Sequence, residues 1–544
     1  MRTPDRLTRR GVLAAAGAAG AGTAVGALAA GAGATAGDAP AVPAPFGPAR
    51  IRPGDPRYDS LLRGDNWRFV GQPDEIRAVG STDQVVRAVQ DAVRRGWRVA
   101  ARSGGHCFED FTADPRVRML LDLSPMDAVG YDPARRAFVV RPGATLGQVY
   151  STLFTGWGVT IPAGGCPSVG AGGHFAGGGY GPLSRRYGSV VDHLYGVEVV
   201  VVDRHGRARP VVATRERDDP YRELWWAHTG GGGGNFGVVT RYWLRSPDAA
   251  GDDPAALLPR APGRELRAVR VWPWDEAMTR RAFITLLRNF GTWHEHHSAP
   301  DSRYAGLYAV LIPMHRASGS IALSVQIDAD LPHADRLVTD FLSAVSAGTG
   351  LTPSVDTRRT MPWLHPTTWP GTGEGGDVAT RRYKNKAAYL RRSLSDGQLG
   401  TIHRYLTDDS DNSDRGMLLV GYGGQVRAVP PGETATAQRD VVLKAVYQTT
   451  WADERDDAAN LDWIRRFYRD VYAHTGGVPV PDGISDGSYI NYPDVDLADP
   501  AWNTSGVPWY TLYYQHNYPR LQRIKARWDP RDVFHHALAV RAPE

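Results

Sequence analysis

Only two cysteines, Cys107 and Cys166, stand in 544 residues. No disulfide framework can carry this fold, so it must rest on buried apolar area. Several catalytic signatures are also missing. The glycine run at 230–234 has no Gly-Lys-Ser/Thr ending, which leaves nucleotide hydrolysis unsupported. No Gly-x-Gly-x-x-Gly opens a clean βαβ unit with a ribose-binding acid, so a Rossmann site is disfavoured. Trp293-His294-Glu295-His296-His297 lacks the spacing that puts two imidazoles on one helical face, and reads as a solvated helix end. Asp408–Asp414 lacks the Gly and terminal Glu of an EF-hand and reads as an exposed acidic loop. No metal site is expected.

What is present is ordinary for a globular chain: 42% hydrophobic and 22% charged residues. The length predicts two domains. Residues 1–36 read as an export signal, with Thr8-Arg9-Arg10-Gly11-Val12-Leu13 ahead of a Gly/Ala-rich stretch and a small-residue cleavage site at Ala34-Thr35-Ala36. A twin-arginine pair before a weakly apolar region is the pattern of the route that exports folded, often cofactor-loaded proteins. The mature chain is expected outside the cytoplasm. The stretch is too poor in Leu, Ile and Phe for a permanent membrane span. Cleavage removes three of the five net positive charges, leaving about +2 and no electrostatic case for nucleic acid.

Residues 37–50 read as a Pro/Ala linker. From 51 to 247 the pattern is mixed α and β. Val85, Val86, Val89 and Val93 recur at helical spacing, and short β-rich runs stand at 97–100, 119–123, 137–140 and 196–203. The Pro/Ala/Asp/Gly-rich segment at 248–264 marks a boundary. Beyond it, up to 486, strand-like runs at 305–312 and 320–327 alternate with amphipathic helices, the clearest at Asn460–His474.

The strongest chemical signal is Arg102-Ser103-Gly104-Gly105-His106, directly after a short strand. Paired glycines let backbone N–H groups approach a pyrophosphate, and the Arg102 and Ser103 side chains can add donors. A second run spans Gly164-Gly165-Cys166-Pro167-Ser168-Val169-Gly170-Ala171-Gly172-Gly173-His174 and continues to Gly178, Gly179 and Tyr180. So many glycines imply backbone packed directly against a large flat ligand. A third run, Gly230 to Val239, ends in a strand.

These three runs, Tyr489-Ile490-Asn491-Tyr492-Pro493-Asp494 and the C-terminal Tyr513-Tyr514…Asn517-Tyr518-Pro519-Arg520 together resemble the berberine-bridge-enzyme-like, FAD-linked oxidases of the vanillyl-alcohol-oxidase fold. The resemblance spans the mature chain and leans towards actinomycete oxidases of glycosylated natural products. It implies an α+β, two-domain fold of the PCMH type: an FAD domain from 51–247 and 487–544, and an antiparallel-sheet substrate domain from 248–486.

It also implies FAD held covalently twice, at the 8α carbon by His106 and at C6 by Cys166. An imidazole and a thiolate are side chains able to add to an activated flavin ring. Arg102, Ser103, Gly104, Gly105, Cys107, Gly165, Val169, Gly170, Gly172, Gly173, His174, Gly178, Gly179, Asn235, Gly237, Val239 and Asn491 would surround the cofactor. Cys107 is expected to pack beside its neighbour. The implied reaction is oxidation of an alcohol or sugar hydroxyl of a small carbohydrate or glycosylated metabolite, with hydride passing to flavin N5 and O2 reoxidising it to give H2O2.

A base must take the hydroxyl proton, and Tyr492, Tyr389 and Tyr180 are the candidates. A phenol of pKa about 10 needs a nearby cation to act at neutral pH, with Arg391, Arg392 and Lys386 as the sequence neighbours. Two other readings are an oxidative cyclase or dehydrogenase of a non-sugar metabolite and a non-catalytic drug-binding flavoprotein. A monomer or homodimer is expected.

Overall fold

The computed structural model describes residues 45–368 and 381–544. The export segment 1–36 and most of the linker 37–50 lie outside them. Three sheets follow one another along the chain. The first holds β1 (Ala49–Ile51), β2 (Glu75–Ala78), β3 (Arg98–Arg102) and β4 (Val117–Asp122), in the order β1-β2-β4-β3. Its β2–β4 and β3–β4 pairs are parallel. Strand β4 inserts between β2 and β3, parallel to both, and the helix Thr82–Arg95 carries the chain across from β2 to β3. Ser81 accepts a hydrogen bond from Gln84 N at its start, and Gly96 ends it in the left-handed conformation. The valine spacing read from the sequence places Val85, Ala88, Val89 and Ala92 in a core with Val99, Met119 and Leu121.

The second sheet is antiparallel: β5 (Val129–Asp132), β6 (Ala137–Val140), β7 (Leu194–Val202), β8 (Ala208–Thr214) and β9 (Val238–Leu244), in the order β5-β6-β9-β7-β8. Val200, Val202 and Val238 from this sheet share the helix's core, so the helix is packed between the two sheets.

The third sheet has seven antiparallel strands: β10 (Arg264–Pro273), β11 (Tyr308–Pro313), β12 (Ser320–Asp328), β13 (Val355–Pro362), β14 (Arg382–Leu390), β15 (Gly416–Gly421) and β16 (Leu443–Trp451), in the order β13-β10-β12-β11-β15-β16-β14. Strand β12 shows its logic. Ile321, Leu323, Val325 and Ile327 are buried, whereas Ala322, Ser324 and Gln326 alternate on a half-covered face. The buried face joins one core with Phe283, Leu287, Phe290, Leu337 and Phe341, from the helices Arg280–His296 and Ala334–Ser346. Full burial of each such side chain is worth about 1.5–3 kcal/mol. The opposite face roofs the main cavity.

Two sequence expectations shift. The clearest amphipathic helix runs Asp457–Val471, starting and ending three residues earlier than its pattern. The His-rich run at 293–297 does close a helix, yet it is solvated only in part: His296 is exposed, Glu295 and His297 are half-buried, and Trp293 and His294 are buried. Trp293 and His294 continue the buried stripe of Phe283, Leu287 and Phe290 at three- and four-residue spacing. His294 Nδ1 donates to the Phe290 carbonyl at 2.8 Å.

Candidate active site

Two glycine loops cross where β3 ends. A Cβ built on Gly104 would stand 2.4 Å from the Gly170 nitrogen, and one on Gly170 would stand 2.1 Å from Ser103 Oγ. Any side chain at either position would push the loops apart. Their contact carries His106 and Cys166 to one wall of a cavity of about 980 Å³. There Ser168 Oγ lies 3.1 Å from His106 Nε2 and 3.3 Å from Cys166 Sγ.

Burial lowers the His106 pKa, and Arg381 acts in the same direction against the pull of Asp65. The ring is therefore held neutral at physiological pH, with a lone pair available. Asp65 Oδ2 stands 3.9 Å from Nδ1 and accepts a hydrogen bond from Tyr383 Oη at 2.9 Å. Cys107 has the opposite fate. Burial pushes its thiol up to about 12, so it is inert and packs beside the histidine. Both cysteines are free.

The remaining predicted residues divide cleanly. Gly105, Gly165, Val169, Gly172, Gly173, His174, Gly237, Val239, Asn491, Tyr180 and Tyr492 line the cavity with His106 and Cys166. Gly178, Gly179, Asn235 and Tyr389 do not form part of that lining. Asn235 spends its amide on the Gly231 and Gly232 carbonyls, and its oxygen accepts from Val540 N, which ties the third glycine run to the C-terminus. Arg102 and Ser103 face the cavity without offering their side chains. The Arg102 guanidinium turns inward to Asp122 at 2.8 Å and the Leu61 carbonyl at 2.6 Å, and the Ser103 hydroxyl donates to the Pro142 carbonyl. A guanidinium and a hydroxyl with internal acceptors in reach gain more there than from a single ligand contact.

The tyrosines gather around a lysine that the sequence did not single out. Lys444 Nζ lies 3.1 Å from the ring centroid of Tyr180, 3.9 Å from Tyr489, 4.3 Å from Tyr422 and 4.6 Å from Tyr389. It has no hydrogen-bond partner among the described residues, and neither does Tyr389 Oη. Tyr180 Oη and Tyr492 Oη are 2.7 Å apart. Burial drives Lys444 towards the neutral amine, and burial together with Tyr492 drives Tyr180 towards the neutral phenol. Each group alone thus resists charging, while an ammonium and a phenolate would stabilise one another at this distance.

Tyr489 Oη accepts from Gly179 N and from Asn491 Nδ2, both at 2.9 Å, and Asn491 Nδ2 also reaches the His174 carbonyl at 2.9 Å. Asn491 therefore braces the loop. Phe108 stacks on Tyr492 at 5.2 Å with an interplanar angle of 10°.

The cations suggested by the sequence are committed elsewhere or exposed. Arg391 pairs with Asp440 at 2.9 Å and Asp486 at 2.6 Å, Lys386 pairs with Asp494 and Asp496, and Arg392 is exposed. Lys444 had a signal available: a lysine alternating with Val446 and Gln448 on a strand otherwise fit for burial. Ser168, Phe108 and the stacked pair Phe111–His536, 4.0 Å apart, carried none.

The cavity fits the flavin dinucleotide that the motifs imply. Gly173 and Gly233 line it, and a Cβ on either would meet nothing within 4 Å, so bare backbone faces open space. The lining includes Val99 from the first sheet, Val239 from the second, and Val310 and Val446 from the third, so one cavity serves all three sheets.

Comparison with known proteins agrees. Residues 73–207 match the model of an FAD binding domain, and residues 488–541 match the berberine and berberine-like model. The chain is 56% identical to the aclacinomycin-N/aclacinomycin-A oxidase of Streptomyces galilaeus, over 90% of this chain and 89% of that one. It is 32% identical to the hexose oxidase of Chondrus crispus, over 88% and 92% of the two chains. The crystal structure of a glycopeptide hexose oxidase complexed with teicoplanin superposes with a TM-score of 0.88 at 50% identity, covering 92% of this chain and all of that one (100%). The chain belongs to the berberine-bridge-enzyme-like, FAD-linked oxidases of the vanillyl-alcohol-oxidase fold, and it is an FAD-dependent oxidoreductase.

Proposed function

We propose that this enzyme oxidises a hydroxyl-bearing carbon of a sugar or glycosylated natural product, with its flavin bound covalently at both His106 and Cys166. The observation that carries the reading is the Tyr180–Tyr492 hydrogen bond, 2.7 Å long, over Lys444 in the wall of the cavity that His106 and Cys166 also line. Bound there, FAD supplies the hydride acceptor at N5, and O2 takes the electrons onward to H2O2.

Tyr492, as its phenolate, takes the substrate hydroxyl proton on Oη and becomes the neutral phenol; while it is ionised, the Tyr180 hydroxyl donates to that oxygen. A phenolate at neutral pH needs such support, since a free phenol ionises near pKa 10. Lys444, beneath the Tyr180 ring, would offset that negative charge by taking up a proton as the phenolate forms, and Tyr389 closes the box from behind. Neutral His106 and the Cys166 thiol, bridged by Ser168, stand ready as nucleophiles towards the ring they would hold.

The roof supports the substrate class. Asn385 and Gln448 face each other across β14 and β16, with Ser324 and Gln326 on β12, beside apolar Val310, Val420 and Val446. Amides suit ring hydroxyls, and the apolar plate suits an aglycone. The named relatives act on aclacinomycins and hexoses. Residues 51–247 and 487–544 would form the FAD domain and 248–486 the substrate domain. Arg9-Arg10 would direct export of the loaded protein.

Anaerobic mixing with free sugars, glycosylated antibiotics and alkaloid-like compounds tests the reading. Glycosides should bleach the flavin, and Tyr492→Phe should slow bleaching by orders of magnitude without altering the flavin spectrum. Near-normal reduction in that variant removes Tyr492 from the role. Ligand uptake without bleaching makes the protein a binder.

A further inference from the structure

Strand β14 has two working faces. Tyr383 and Asn385 line the cavity, whereas Lys384 and Lys386 point the other way and are only 1% and 2% exposed. Behind the strand lies an ion cluster whose two lysines and three carboxylates are buried, with Arg465 half-buried at its rim. Lys384 Nζ is bonded to the Glu109 carboxylate and lies 2.8 Å from Asp494 Oδ1. Lys386 Nζ lies 2.5 Å from Asp494 Oδ2 and 2.9 Å from Asp496 Oδ2. Arg465, on the helix Asp457–Val471, grips Asp496 at 2.8 and 3.0 Å. Three carboxylates meet three cations, so the cluster is neutral as a whole. Burial opposes the Lys384 charge, but Asp494 and Glu109 outweigh it and hold the ammonium protonated.

The chain positions of these groups are informative. Glu109 is three residues beyond His106, Asp494 is two beyond Tyr492, and Lys384 follows Tyr383, which bonds Asp65 beside His106. On the cavity side the same three segments meet again. Phe108 stacks on Tyr492 and stands edge-on to Tyr383 at 5.6 Å. The Val495 N–H also donates to Glu109 Oε1 at 3.4 Å.

We propose that Lys384 is a positioning residue: by bridging Glu109 and Asp494 it fixes the His106 loop against the Tyr492 segment and sets where the Tyr492 phenol stands over the flavin site. This rests on the reading that Tyr492 takes the substrate proton. Buried ion clusters add little net stability, because desolvation consumes most of the attraction. What such a fully paired cluster does specify is relative geometry, which a catalytic phenol needs to within a fraction of an ångström.

The test is the double variant Lys384→Met, Glu109→Gln in the holoenzyme. It removes one charge of each sign and leaves Asp494–Lys386 and Asp496–Arg465 intact. Anaerobic flavin reduction at saturating substrate should fall at least tenfold, with KM within about threefold and the melting temperature within a few degrees. Reduction within twofold of wild type overturns the proposal. So does a parallel loss of rate, KM and melting temperature, which marks a merely structural role. If the double variant does not accumulate, Glu109→Ala is compared with Glu109→Gln, which keeps an oxygen for Lys384. Only the alanine variant should lose the tenfold, and equal losses in both overturn the bridge. Tyr492→Phe in the same assay separates the two ideas. If Tyr492→Phe reduces normally, the base assignment falls; if it is slow while the double variant is fast, only the positioning role falls.

Discussion

Replacing Lys444 by methionine isolates the cation that, among the described residues, lies over the phenol pair. Methionine matches the aliphatic stem and keeps the aromatic box filled, so the fold should tolerate the change. The cost to the chemistry follows from the geometry. Nζ sits 3.1 Å above the Tyr180 ring. An ammonium there lies roughly 4 Å from the Tyr180 oxygen and roughly 6 Å from the Tyr492 oxygen, one hydrogen bond of 2.7 Å further on; at an effective dielectric constant of about 20 a Tyr492 phenolate gains about 3 kcal/mol. That corresponds to about two pKa units of phenol ionisation.

If Lys444 carries its proton when a phenolate forms, Lys444→Met should slow anaerobic flavin reduction at pH 7 by about 10²-fold, following that 3 kcal/mol. The rising limb of the pH–rate profile should move upward by up to about two units, since a base with raised pKa is ionised only at higher pH. At high pH the variant should approach the wild-type plateau, because the phenolate forms there unaided. Stopped-flow reduction from pH 6 to 10 measures both quantities. Burial alone drives Lys444 towards the neutral amine. A variant within threefold of wild type, with an unshifted profile, would show that the amine stays neutral throughout and refute the charge argument.

Further outcomes follow from other parts of the structure. Acid precipitation should leave the wild type yellow, and His106→Ala or Cys166→Ala should each retain flavin through the other bond. Only the double variant should release it all, and release from wild type sinks the two-tether proposal. Gln448→Leu should raise KM for glycosides about 2–10-fold with kcat held, the worth of one neutral hydrogen bond of about 0.5–1.5 kcal/mol; no change in KM removes the amide rung from sugar recognition. Phe283→Ala, behind the roof sheet, should cost about 3–5 kcal/mol by leaving a cavity in a fully buried site, read as a lower melting temperature. Burial raises the Asp486 carboxyl to about 7, against the opposing Arg391. The folded state therefore holds a proton between about pH 4 and 7 that the unfolded chain releases, and this group's contribution to stability falls as pH rises through that window. Asp486→Asn should flatten that part of the slope in melting temperature between pH 4.5 and 7.5.

The glycine runs were legible because they encode a backbone requirement that only one residue type meets. Gly104 and Gly170 touch through their main chains, so the crossing that joins His106 to Cys166 is written in sequence as absence of side chain. The helix Thr82–Arg95 and strands β7 and β12 were legible from periodicity, whereas the antiparallel roof was implied only by the family resemblance. The side-chain readings fared unevenly. Arg102 stands in the strongest motif, yet its guanidinium serves Asp122 and two carbonyls, because a buried strand end left those acceptors in need. His294 was read as solvated because a run of three histidines and a glutamate masks the stripe it extends. Lys444 was passed over because its importance comes from four rings contributed by four separate segments, a fact that no local window contains.

The chemistry therefore stands at a seam rather than within either layer. The floor supplies His106, Cys166 and Tyr180 from glycine loops, the roof supplies Tyr389 and Lys444 from adjacent strands, and the C-terminal segment supplies Tyr489 and Tyr492. A site assembled from three segments needs its parts registered, and neither glycine loops nor an apolar plate can do that alone. Hydrophobic contacts tolerate sliding at little cost, whereas an ammonium shared between two enclosed carboxylates does not. Lys384 and Lys386 occupy the positions on β14 that alternate with the cavity-facing residues, so the strand that helps to form the substrate roof is also the one anchored to the tether loop and to the phenol. Displacing any one of these segments strands a buried charge, a penalty of about 3–5 kcal/mol. That penalty gives the seam a single geometry while its two cavity-facing walls remain free to vary with substrate.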